Sequence, residues 1–426
     1  MKSLKKWLVV LPLTALLAAC NTGGSSESDL PSGGTATEIV FGTEEVRNKF
    51  ADDVDLFARN VLAAKTYELD ANASGDMKVV LDELKVPYGN GIETVKGSVK
   101  AEGLEGSLKA GVSFKDGAFI GYANAKGSGS LSVSYELPDA IYSEIPAEMA
   151  ETYGIKQKNS DKFSAKDVGA DAYIVNGNIY VNADKQANRD FAKSVLNTSL
   201  VKLPDLLKDM AKIDDAAKFI DEFPLKYVVP GFAPKDVPNM PVIPEGTVAN
   251  YIKQFLAMVN NPNPDEQTKA IIDMAKDVLS TLSLKSYVYS ADSEYSYGFS
   301  MGIDSVEQLD SLYAKIISYI PNVPAEMPKD KISTFLEQFG FKLNTFSIHV
   351  SLAFGVNGKL FVGAGEKIDV AVDMQVPNSQ VHIKGSYGLN YDAGLTLTAS
   401  NNSLADKIPS REELATYQDL PFNPPF

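Results

Sequence analysis

The chain predicts an α+β fold: curved antiparallel β-sheets with packed helices, arranged as an internal duplication of a half-barrel-like unit. Three observations predict it. Asn-Gly pairs flanked by alternating apolar residues mark β-hairpins. Apolar stripes at helical spacing, preceded by capping residues, mark amphipathic helices. Short signatures also recur in the same order in both halves of the 426-residue chain.

Ser107-Leu108-Lys109 returns as Ser283-Leu284-Lys285, and Pro146-Ala147-Glu148-Met149 as Pro324-Ala325-Glu326-Met327. The run Glu151 to Lys156 is echoed by Glu337 to Lys342, and Val175 to Val181 by Val356 to Val362. The matches keep their order and a near-constant offset, as a duplicated unit would. The expected organisation is a signal at 1–19, a tether at 20–37, a first half at 38–223, a proline-rich strap at 224–244 and a second half at 245–426.

The elements follow in order. Val46, Phe50, Val54, Phe57 and Val61 form one helical stripe, with Thr43 as cap and Glu44 and Glu45 in the first turn. Strands are expected over 67–81, 92–112 and 129–135, with a hairpin at Phe114–Phe119. Asp70 to Asp76 has the front of a calcium loop. Leu81 stands where the bidentate glutamate belongs, so the segment reads as a turn. The flanks of Asn176-Gly177 and Asn357-Gly358 alternate, and both turns are expected to be type I′. Helices fill 186–223, broken near Pro204.

In the second half Val248, Ile252, Phe255 and Val259 form a helical stripe, and Pro264 suits the first position of the next helix. Strands are expected at 285–290 and 295–303. Tyr287 and Tyr289 share one strand face, as do Tyr295 and Tyr297; they stabilise the sheet or form an aromatic contact wall. Ser305 to Gln308 reads as a capping box, Gly340 as a helix stop, and 346–398 as a long meander.

The amino end carries Lys2, Lys5 and Lys6, an apolar run from Trp7 to Ala19, and then Leu17-Ala18-Ala19-Cys20. This is similar to the signal and lipobox of bacterial lipoproteins. The resemblance implies cleavage before Cys20 and diacylglycerol on its thiol. Cys20 is the only cysteine, so no disulfide is expected. The expected location is extracytoplasmic, lipid-anchored to the cell membrane or outer membrane. The small-residue stretch after Cys20 is expected to be a flexible tether.

The formal charge is −15, and loss of the leader lysines makes it more negative. That opposes binding to nucleic acid. The sequence offers no nucleophile elbow, phosphate loop or cysteine–histidine ligand set, so no catalytic, cofactor-binding or metal-ligating residue is assigned. The two histidines, His349 and His382, lie on separate expected strands.

The layout, with hairpins of the Tyr173-to-Tyr180 kind, resembles half-barrel lipoproteins and carriers of the LolA and LppX type. That resemblance implies a curved sheet over helices with lipid acyl chains in its concavity. The expected function is a non-enzymatic envelope lipoprotein binding a lipid or apolar ligand. The alternatives are a surface scaffolding protein using exposed tyrosines, and a hydrolase if carboxylates converge with a histidine in a cleft.

Overall fold

The computed structural model describes residues 30–31, 35–114, 119–196, 215–231, 242–261, 263–324 and 327–419. Cys20, the signal, the 115–118 turn, the Pro204 break, most of the strap and the tail after Asp419 lie outside them. The fold is α+β, a curved sheet with helices, and the sheet is not closed into a barrel.

The first half contributes β1 (Ala36–Glu38), β2 (Thr66–Tyr88), β3 (Gly91–Ser113), β4 (Ile120–Glu136), β5 (Lys158–Val175), β6 (Asn178–Asn182) and β7 (Lys226–Val229). The second contributes β8 (Ser283–Tyr289), β9 (Tyr297–Ile303), β10 (Phe341–Gly355), β11 (Lys359–Gln375), β12 (His382–Ser400) and β13 (Gln418–Asp419). All thirteen form one sheet in the order β1-β8-β9-β10-β11-β12-β2-β3-β4-β5-β6-β7-β13. Pairing is antiparallel except between β7 and β13. The halves join where β12 pairs with β2, from His382 opposite Lys85 to Ser400 opposite Thr66.

The helices are α1 (Glu44–Ala63), α2 (Asp139–Tyr142), α3 (Ala147–Tyr153), α4 (Gln186–Leu196), α5 (Ala216–Glu222), α6 (Thr247–Val259), α7 (Glu266–Leu279), α8 (Val306–Ser318), α9 (Ile332–Gln338) and α10 (Arg411–Leu414). Both halves repeat one order of elements. A hairpin (β3–β4 or β8–β9) leads into two helices, then a strand returning onto the hairpin (β5 or β10), then an Asn-Gly turn and a further strand (β6 or β11). The seven residues of β8 stand where Ser107–Ser113 close β3.

Several local expectations change. Asn176 and Gly177 both have positive φ, 51° and 79°, in the two-residue loop of a type I′ turn. In the second copy only Gly358 does, at 95°. There Gly355 pairs with Lys359, which makes a three-residue loop with glycine at its last position. Pro264 precedes α7, and Asp265 caps it by accepting from the Thr268 amide. Residues 36 and 37 of the expected tether lie in strand β1, and residues 226–229 of the expected strap are β7.

The expected turn from Asp70 to Asp76 is instead the middle of β2. Asp70, Asn72 and Ser74 point to one face and Ala71 and Ala73 to the other, the period-2 pattern of a strand.

The core sits where α1 and α6 cover one end of the sheet. Phe41, Phe50, Ala51, Ile252, Leu256, Tyr297, Phe299 and Phe354 are all buried there. Phe50 meets Tyr297 edge-on at 5.2 Å and Phe41 at 5.0 Å. Beneath them Asp55 holds the two helices together. Its carboxylate accepts from the amides of Gly246 (3.0 Å), Val248 (2.9 Å) and Ala249 (3.3 Å), and from Arg59 Nε (2.9 Å). It thereby caps α6, whose own N-cap residue is Gly246 and has no side chain to do so. Burial pushes the Asp55 pKa up, but the Gly246 amide, the Arg59 guanidinium and the other two amides outweigh it. The net shift is below the ordinary carboxylate value.

Candidate functional site

Antiparallel register sorts the side chains of the sheet into two unlike faces. On one face Leu352, Val362, Leu395, Ala71, Leu108, Ala125 and Ala170 lie side by side across seven strands. A parallel row is Phe346, Ile368, Leu389, Met77, Ala101, Leu131 and Phe163. Both rows are wholly apolar.

At the α1 and α6 end this face is buried. Away from it Val79, Val99, Leu131, Val350, Val362, Tyr391 and Leu395 are each 36–44 % exposed. A shallow groove of about 520 Å³ runs along it, floored by Ala71, Ala73, Gly106, Ala364 and Ala393 and walled by Leu108, Val362, Tyr391 and Leu395. Its size lies within the ordinary range for ligand sites. Contiguous exposed apolar surface marks contact with lipid, ligand or protein.

The opposite face is polar and holds a deeper cavity of about 590 Å³. Asn72, Ser74, Glu105, Ser107, Lys126, Ser128, Asp167, His349 and Asp392 line it, with Leu30, Pro31 and Phe361 at one side. The deeper concavity is thus polar, and the apolar surface lies on the other side of the sheet. The reason is the alternation along β2 and β12: Asp70, Asn72, Ser74, Asn390 and Asp392 fall at every second position and turn to one side.

Elsewhere on the polar face charges are paired across strands: Lys109 with Asp70 and Lys78 with Asp369, both at 3.1 Å. Lys126, Glu105, Asp167 and Asp392 have no ion-pair partner among the described residues.

His349 lies flat over Gly365, where an added Cβ would meet its ring, and faces this cavity. The neighbouring Ser351 is 1 % exposed, which leaves its hydroxyl little access to a bound substrate. His382 lies on the same face as His349, well along β12. Its Nε2 meets Asp373 at 2.7 Å and its Nδ1 meets Glu83 at 3.3 Å, with Lys85 beside Glu83 at 2.5 Å. Asp373 first, and Glu83 second, hold the His382 pKa above its ordinary value. With both ring nitrogens engaged by carboxylates, His382 has none left to activate a hydroxyl. Among the described residues no group of histidines and carboxylates has metal-binding geometry.

The tyrosines are core rather than contact surface. Tyr287, Tyr289, Tyr295 and Tyr297 are all buried. Tyr295 and Tyr297 do not share a face, because the chain is irregular just before β9 begins. Tyr297 enters the aromatic core and its hydroxyl donates to Asp53 at 2.8 Å. Tyr295 turns to the polar side and packs against Tyr289, with ring centroids 5.7 Å apart. Burial pushes the Tyr289 pKa up to about 12, and its hydroxyl has no hydrogen-bond partner among the described residues.

Asp55 escapes sequence reasoning although it organises the fold. A signal existed: an acid next to Val54, within the apolar arc of α1, together with a helix opening on Gly246 without a capping side chain.

No protein-family model matches the chain. No curated protein matches it either. Among solved structures, the transport unit of the autotransporter AIDA-I from Escherichia coli aligns over 83 % of this chain and 99 % of its own. The identity is 6 % and the TM-score 0.09, so the alignment carries no argument.

Proposed function

We propose that this chain is a non-enzymatic envelope lipoprotein, anchored through Cys20, that holds lipid acyl chains on the open apolar face of its sheet. One observation carries the reading: two wholly apolar rows cross seven strands, and Leu131, Val362 and Leu395 in them stay 36–39 % exposed. Covering such surface returns about 25 cal/mol per Å² of apolar area. A floor of alanine and glycine between larger walls suits a slender, flexible chain better than a bulky rigid ligand.

The expected anchor supports the reading by position. Leu30 follows Cys20 by ten residues, and ten extended residues span at most about 33–36 Å. The sheet is thereby kept within reach of a lipid source.

Native mass spectrometry of the full chain, extracted in mild detergent, tests the proposal. The expected result is phospholipid retained by the native protein and lost from the Leu131→Asp/Val362→Asp variant. A native protein free of lipid under conditions that preserve its fold would contradict it.

A further inference from the structure

The two halves differ at one edge. In the second half β10 is paired from end to end by β11, from Phe341 opposite Val372 to Gly355 opposite Lys359. In the first half the corresponding β6 pairs with β5 only over Asp171–Val175. Just beyond, the side chain of Asn188 stands in for a strand at Gly169, donating to its carbonyl (2.7 Å) and accepting from its amide (2.8 Å). From Lys158 to Val168 no described segment pairs with the outer edge of β5.

The amides on that edge can be assigned. Leu137 N donates to the Gln157 carbonyl at 2.8 Å, so Gln157 faces β4. Asn159, Asp161 and Phe163 follow it at every second position, and Ser160, Lys162 and Ser164 turn their amides outward. The side chains at the outward positions read Lys158, Ser160, Lys162, Ser164, Lys166, all exposed. Lys158 meets Glu136 at 3.2 Å, whereas Lys162 and Lys166 have no ion pair among the described residues. In so acidic a chain this is a concentrated row of positive charge. A second copy pairing through the same edge would set lysine against lysine, which disfavours self-association.

The geometry points to strand addition at Lys158–Val168. A partner polypeptide with Asp or Glu at alternate positions completes the sheet there, as β11 does in the second half. Backbone hydrogen bonds would supply affinity and the lysine row would select the acidic strand.

The test is fluorescence anisotropy of a labelled ten-residue peptide alternating Glu and Val, titrated with the full chain. Saturable binding is expected. The Lys158→Glu/Lys162→Glu/Lys166→Glu variant should bind at least about tenfold more weakly. Ser160→Pro, which removes one outward amide and no bond to β4, should weaken binding comparably. A peptide N-methylated along one edge should fail to bind, and this arm leaves the protein untouched. The absence of binding, equal binding of a Lys-Val peptide, or equal binding of the N-methylated peptide would each overturn the inference.

Discussion

The apolar face of the sheet is finished at one end and open at the other. Under α1 and α6 the rings of Phe50, Tyr297 and Phe354 interlock at 5.2–6.0 Å and are 3–5 % exposed. On the same face Val79, Val99 and Leu131 pair across strands with apolar neighbours and are 36–44 % exposed. The two regions share strand pattern and residue type. They differ in whether a helix lies over them. The first is fold and the second is available surface, and substitutions should separate them.

The largest effect is expected at Phe50. Phe50→Ala should cost about 3–5 kcal/mol of stability in urea denaturation. Leu131→Ser at the open end should cost well under half of that. Equal costs would mean that the open face is packed in solution and would break the comparison.

Asp55→Asn comes next, at about 2–3 kcal/mol, because it removes a buried charged acceptor shared by three amides and Arg59. Its pKa in the folded state is depressed, so its contribution is present above the unfolded value of about 3.9 and fades as pH falls through the folded one. The native protein should lose stability below about pH 4 more steeply than Asp55→Asn. Parallel acid profiles would remove Asp55 from this role.

Tyr289→Phe deletes a buried hydroxyl that has no partner among the described residues. The thermal midpoint should stay level or rise, a change within about 1 kcal/mol. A marked fall would show that the hydroxyl is bonded in solution.

The smallest effect belongs to His382, on the polar side. Its folded pKa is raised, so its contribution is full below the unfolded value of about 6.5 and is lost as pH rises through the folded one. Nuclear magnetic resonance should place its midpoint above 6.5, and His382→Gln should flatten the slight loss of thermal stability on going to alkaline pH. A midpoint at or below 6.5 would dissolve the Asp373–His382–Glu83 link.

Much of this was legible in the sequence, for local reasons. Thr43, Ser305 and Gly340 act at helix ends as their chemistry requires, and the Asn176-Gly177 hairpin follows from positive φ at both residues. Alternation gave the long strands. What stayed hidden depends on partners far apart in sequence. Asp55 caps a helix some 190 residues away, and nothing local to either segment joins them. Asp70 to Asp76 reads as a turn because Asp, Asn, Ser and Gly are turn formers. Only its neighbours β3 and β12 show that those polar side chains share one solvated face. The candidate site depends on the same long-range pairing. Alternation reveals two faces, but not that α1 and α6 cover one end of the apolar face or that the cavity lined by His349 and Asp392 lies on the polar one.

The most direct test of acyl-chain binding uses the chain's tryptophan content. Trp7 is its one tryptophan, so protein produced from Cys20 onward has none. Val99→Trp places a reporter on the open apolar face, and Lys100→Trp places one on the polar face beside it. On adding phospholipid with brominated acyl chains, the account predicts strong quenching of the tryptophan at position 99 and little at position 100. Equal quenching at both positions, or none at position 99, would contradict it.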